Sequence, residues 1–68
     1  MRYYVNKNAQ PNGDHEVHAS NCAYLPVPEN RIFLGDYPGC DTAITKAKLD
    51  YYRQSNGCSL CAPECHTG

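Results

Sequence analysis

The chain has 68 residues, enough for one small domain and no more. Six Lys and Arg against seven Asp and Glu leave a formal net charge of −1, without the basic excess that a nonspecific nucleic-acid clamp needs. No stretch reaches the roughly 18 apolar residues of a membrane span, and Met1 to Gln10 shows no apolar core of a secretory signal.

In chain order, Arg2-Tyr3-Tyr4-Val5 is a short β-prone run. Asn6 to Asp14 is rich in turn formers, and Asn12-Gly13 is a hairpin signal. A strand through Glu16-Val17-His18 is therefore expected to pair back onto Tyr3-Tyr4-Val5. Ser20-Asn21-Cys22 is loop-like. Tyr24-Leu25-Pro26-Val27-Pro28 is extended, because a residue before proline is pushed out of the α region. Arg31-Ile32-Phe33-Leu34 reads as a second strand that ends at Gly35, followed by a turn over Asp36-Tyr37-Pro38-Gly39.

A helix follows Cys40, with Asp41 or Thr42 as its cap. Ala43, Ile44, Ala47 and Tyr51 recur at helical spacing and are expected to face the sheet, with Ile44 and Ala47 near Phe33. Lys46, Lys48, Asp50 and Arg53 fall on other faces and read as solvated. Asn56-Gly57 offers a left-handed stop, which gives a helix of about 12–14 residues. The predicted architecture is a small α+β domain over residues 1–68, with two or three short antiparallel strands on one helix and a Cys-rich C-terminal tail.

Its core is thin. Tyr supplies six of the aromatics, there is one Phe and there is no Trp. Tyr wants its hydroxyl wet or paired. Domains this small usually carry disulfides or a structural metal. Five Cys cannot all pair internally, and without a visible secretory signal a reducing cytoplasm is the expected compartment. Close-spaced Cys there are more often metal ligands than disulfides.

Cys58-Ser59-Leu60-Cys61 is the strongest local motif. Two thiolates three positions apart in a tight turn can meet one tetrahedral cation, at about 2.3 Å for Zn–S. A redox dithiol of the thioredoxin kind would open a helix after a strand, whereas this pair follows a helix. A tetrahedral site needs two more donors. His18 and Cys22, spaced as His-x3-Cys after a strand, supply them, with the second imidazole nitrogen held by an acceptor behind the site. The predicted metal ligands are thus His18, Cys22, Cys58 and Cys61, around one zinc. The bland alternatives are an exposed strand histidine and a small buried thiol.

Cys65 and His66 have a spacing that could replace one of the first pair. Cys40 reads as a packed thiol at the helix start, and a Cys40–Cys65 disulfide would need an oxidising setting. His15 reads as a surface residue.

The order His18-x3-Cys22, strand Arg31–Leu34, helix from Thr42 and Gly57-Cys58-x2-Cys61 resembles the metal-binding domain of the Ada DNA-repair protein and its relatives. The resemblance runs from Glu16 to Cys61. It implies a Cys- or His-x3-Cys half-site, a strand, a helix and a Cys-x2-Cys half-site around one zinc. The whole chain is also similar to a family of small bacterial Cys/His-rich proteins without an assigned activity. That pattern runs through His18, Cys22, Leu34-Gly35, Cys40, Ala47-Lys48, Gly57-Cys58 and Cys65-His66-Thr67.

In Ada the first Cys of the Cys-x3-Cys half-site is the zinc thiolate that accepts a methyl group from a DNA phosphotriester. Here that position is His18, and imidazole is a poorer alkyl acceptor. Arg2, Lys7, Arg31, Lys46, Lys48 and Arg53 are scattered, which gives little support to DNA contact. The chain shows no Ser-His-Asp order, no phosphate loop and no paired carboxylates. Glu29, Asp36 and Asp41 read as caps and turns. Three function classes follow. The first is a structural zinc module that binds a protein or other ligand and no membrane. The second is a thiol-reactive protein, an alkyl acceptor or redox protein using Cys22, Cys65 or the Cys58/Cys61 pair. The third is a disulfide-stapled secreted protein.

Overall fold

A computed structural model describes residues 1–67; Gly68, the last residue of the expected domain, lies outside them. Four strands and one helix form the frame: β1 (Arg2–Asn6), β2 (His15–Ala19), β3 (Arg31–Asp36), α1 (Cys40–Asp50) and β4 (Ser55–Gly57). Short 3-10 turns cover Pro28–Asn30 and Pro63–Cys65. The sheet order is β3-β1-β2-β4. β1 pairs antiparallel with β2 and with β3, and β4 runs parallel to β2. The α+β class holds, with four strands in a mixed sheet. No helix among the described residues is long and apolar enough to cross a membrane.

The first hairpin forms where the sequence places it. Val5 stands opposite Val17 and Tyr4 opposite His18. The loop closes with Gly13 N–H donating to Gln10 O at 2.8 Å across Pro11-Asn12. Strand alternation then sorts the side chains. Tyr3, Val5, Val17, Ala19 and Leu34 are buried together with Cys40, Ala43, Ala47 and Ala62. The buried stripe of α1 is Cys40, Ala43 and Ala47, all small, so the helix can lie close to the sheet.

Several expectations change. The cap is Gly39, without a side-chain hydrogen bond, and Asp41 sits in the first turn of α1 instead. Phe33 is 52% exposed on the face away from the helix, because Ile32 and Leu34 on either side of it turn inward. It meets Tyr4 there, ring centroids 5.4 Å apart, with the Arg31 guanidinium 4.6 Å from the Tyr4 centroid. Ile44 is only half-buried, beside the core, and Tyr51 is exposed. The second strand does not stop at Gly35: it continues to Asp36 through a register shift opposite Tyr3 and Tyr4, with Gly35 at φ +143°. A β-carbon there would stand 2.6 Å from the Tyr37 ring.

The change that matters most for the site lies at the end of α1. α1 ends at Asp50, and Asn56-Gly57 is not its stop. Tyr51 and Tyr52 N–H both donate to Ala47 O, which closes the helix, and Ser55 Oγ donates to Tyr52 O at 2.6 Å. His15 is half-buried rather than a surface residue, its ring stacked on Tyr52 at 3.6 Å. Ser55-Asn56-Gly57 then pairs with His15-Glu16-Val17. Gly57 is needed for space: a β-carbon would lie 2.8 Å from the Cys65 β-carbon and 2.9 Å from Ala62 O.

Candidate metal centre

β2 and β4 lie side by side, and the site forms where both strands end. His18 is on β2, opposite Tyr4, so its ring leaves the sheet on the face away from α1. It is only 1% exposed. Cys22 follows in the turn after β2, where its N–H donates to Ala19 O at 3.0 Å. Cys58 is the first residue after β4, anchored by its N–H to Val17 O at 3.0 Å. Ala62 N–H donates to Cys58 O at 2.8 Å, which tightens the turn that returns Cys61 to the same place.

Donor atoms of His18, Cys22, Cys58 and Cys61 all lie within 4.8 Å of one another. The Cys22 and Cys58 sulfurs are 3.9 Å apart. All three Cys are free thiols. The structure thus brings the four sequence-predicted ligands together, although the two halves are 36 residues apart along the chain.

His18 shows which atom is available. Its Nε2 lies 3.6 Å from the Glu16 carboxylate. Its Nδ1 is buried without any hydrogen-bond partner, the one such side-chain atom among the described residues. A buried polar atom left unpaired is costly. His18 stands within ligand reach of three sulfurs, so a cation there would give the ring a partner. Burial holds the His18 pKa below the ordinary imidazole value, against the opposing pull of Glu16, so the ring stays neutral and able to ligate.

The sulfurs have donors of their own. Ala19 N–H donates to Cys61 Sγ and Tyr24 N–H to Cys22 Sγ, each at 3.4 Å. Such bonds favour thiolates. Burial nonetheless pushes the Cys61 thiol up to about 12, and the neighbouring Cys22 and Cys58 add to the rise. A divalent cation would reverse that balance, since a coordinating thiol is deprotonated outright. The residues present therefore fit a metal ion, with three sulfurs and one imidazole in a closed shell.

Other donors go elsewhere. Cys65 does not enter the cluster, and Cys40 is not a lone packed thiol: the two form a disulfide, Cα atoms 6.3 Å apart. His66 Nδ1 donates to Gly57 O at 2.9 Å. Sequence reading passed over Glu16, yet the signal was there: residues two apart in a strand share a face. It also passed over Glu64, whose Oε1 stands 3.2 Å from Cys40 Sγ. No protein family, curated protein or solved structure matches the chain.

Proposed function

We propose that the protein is a small structural zinc module that serves in binding or interaction rather than in catalysis. One zinc would be held by His18 Nδ1, Cys22, Cys58 and Cys61. The observation that carries this reading is a buried His18 with an unpartnered Nδ1, clustered with three free thiols. A soft donor set of three thiolates and one imidazole in tetrahedral reach suits zinc. Four protein ligands leave no open position for a substrate, so the ion would contribute folding free energy and not a reaction step. The likeness to the Ada metal-binding domain belongs to the same proposal, without methyl transfer, because His18 stands where a thiolate acceptor would be.

Elemental analysis of protein purified without chelator, joined to a thiol count, tests it. About one zinc per chain is expected. A metal-free chain that keeps its fold would overturn the reading. A fully stapled secreted protein is the less favoured alternative: five Cys pairing as far as they can would leave one thiol, and here three are free.

A further inference from the structure

Away from the metal centre, Cys40, Cys65 and Glu64 form a second group of donors within 4.8 Å of one another. We propose that it is a thiol–disulfide exchange site, with Cys65 the sulfur attacked, Cys40 the sulfur that leaves, and Glu64 the base that serves Cys40. Its substrates are external thiols and disulfides.

Three observations support this. First, the two sulfurs differ in access. Cys40 is buried at 3% exposure, and Cys65 is only partly covered, in the 3-10 turn near the end of the chain. An incoming thiolate reaches Cys65 first. Cys40 opens α1 as its first helical residue after Gly39, where the helix N-terminus stabilises the departing thiolate.

Second, Glu64 Oε1 lies 3.2 Å from Cys40 Sγ, a sulfur that carries no proton while the disulfide is closed. Once Cys40 is reduced, the same contact becomes an S–H to carboxylate hydrogen bond. The carboxylate is thus placed for the reduced form.

Third, the tail has anchors besides the disulfide. His66 Nδ1 donates to Gly57 O, Thr67 N–H donates to Asn56 Oδ1 at 3.0 Å, and Asn56 Nδ2 donates to Thr67 O at 2.8 Å. Asn56 itself is buried on β4. Opening the bond therefore leaves Cys65 beside Cys40, ready to close again.

The chemistry balances with a thiol as reductant. A thiolate RS⁻ attacks Cys65 Sγ, the Cys40–Cys65 bond breaks, and Cys40 leaves as a thiolate that takes a proton. A second RS⁻ attacks the outer sulfur of the mixed disulfide, which releases RSSR and the Cys65 thiolate. In total, the disulfide and two RSH give two protein thiols and RSSR. In the return direction the Cys65 thiolate attacks RSSR and releases one RS⁻. Cys40 then attacks Cys65 Sγ, its proton passes to Glu64, and the second RS⁻ leaves.

The test uses the full chain as purified, equilibrated with reduced and oxidised glutathione, with Cys65 and Cys40 followed by alkylation and peptide mass. The pair should open and close reversibly while far-UV circular dichroism and metal content stay constant. Cys40→Ser given oxidised glutathione should accumulate one glutathione adduct at Cys65, because the thiol that faces it, Cys40, is gone. Glu64→Gln should slow reclosure by about tenfold or more, the low side of what a general base contributes. A pair that stays closed in folded wild-type protein and opens only with denaturant would overturn the proposal, as would a folded Cys40→Ser chain without the adduct. The wild-type titration decides the matter even if a variant fails to fold. Metal content, read in the same samples, separates failure here from failure of the zinc reading.

Discussion

Glu16 and His18 project from the same face of β2, and the Glu16 Oε1 to His18 Nε2 separation is 3.6 Å. The carboxylate stands behind the imidazole while Nδ1, on the other side of the ring, has no partner. At 3.6 Å this is an electrostatic contact rather than a hydrogen bond, on the side of the ring where a metal-binding histidine keeps its acceptor. Glu16→Gln should therefore lower zinc affinity by about 10–100-fold and leave one ion per chain at saturation. Competition against a chromophoric chelator measures it, and an unchanged affinity would remove Glu16 from the site.

Loss of one ligand should not be equivalent at all four positions. Cys58→Ser and Cys61→Ser should each abolish binding, because a neutral hydroxyl replaces a thiolate poorly and both residues lie in one tight turn. His18→Ala should weaken binding and leave residual affinity, since water can take one position of four. Cys40→Ser should keep the metal, because Cys40 is joined to Cys65 outside the cluster. Zinc content after gel filtration ranks the four.

Metal uptake should be pH-dependent with a definite sign. Burial raises the Cys61 thiol to about 12, so at neutral pH it holds a proton until a metal displaces it. Apparent affinity should then rise with pH, about tenfold per unit for each proton displaced. His18 adds little to this release, because burial has already lowered its pKa and the ring is neutral. Calorimetry in buffers of different ionisation enthalpy counts the protons. Binding without proton release would contradict thiolate ligation.

Gly57→Ala should destabilise the fold even though Ala suits a strand no worse than Gly. The added carbon meets the Cys65 β-carbon at 2.8 Å and Ala62 O at 2.9 Å, so the tail must move. A cost of about 1–3 kcal/mol is expected, as for overpacking elsewhere. Urea denaturation would show it, and unchanged stability would mean that the tail is not held tightly against β4.

The two sheet faces should respond differently to substitution. Ala47 is fully buried on the inner stripe of α1, and Ala47→Leu should cost about 1–3 kcal/mol by overpacking. Phe33→Ala, half-exposed against Tyr4, should lose about 0.5–1.5 kcal/mol from the aromatic pair and little more. Ile44→Asp should be milder than Ala47→Asp, since Ile44 keeps one side in water. Thermal melts of these variants test the assignment of faces.

Much of the fold and of the site is legible in local sequence. Alternation in Tyr3-Tyr4-Val5 and Glu16-Val17-His18 around a turn-rich loop yields the first hairpin. The Cys58-x2-Cys61 and His18-x3-Cys22 spacings mark both halves of the cluster, because a tight turn can aim two donors at one point whatever lies around it. What local pattern does not carry is β4. Ser55-Asn56-Gly57 has neither β-branched nor aromatic side chains, and it is a strand only because β2 offers its free edge in parallel. The same holds for the Cys40–Cys65 pairing and for the inward turn of Ile32 and Leu34 that sends Phe33 outward. Sequence spacing determined which donors could share an ion. Only tertiary packing decided that β2 and β4 end side by side, that Cys65 meets Cys40, and that one nitrogen of His18 is left without a partner, since these depend on contacts between segments far apart in the chain.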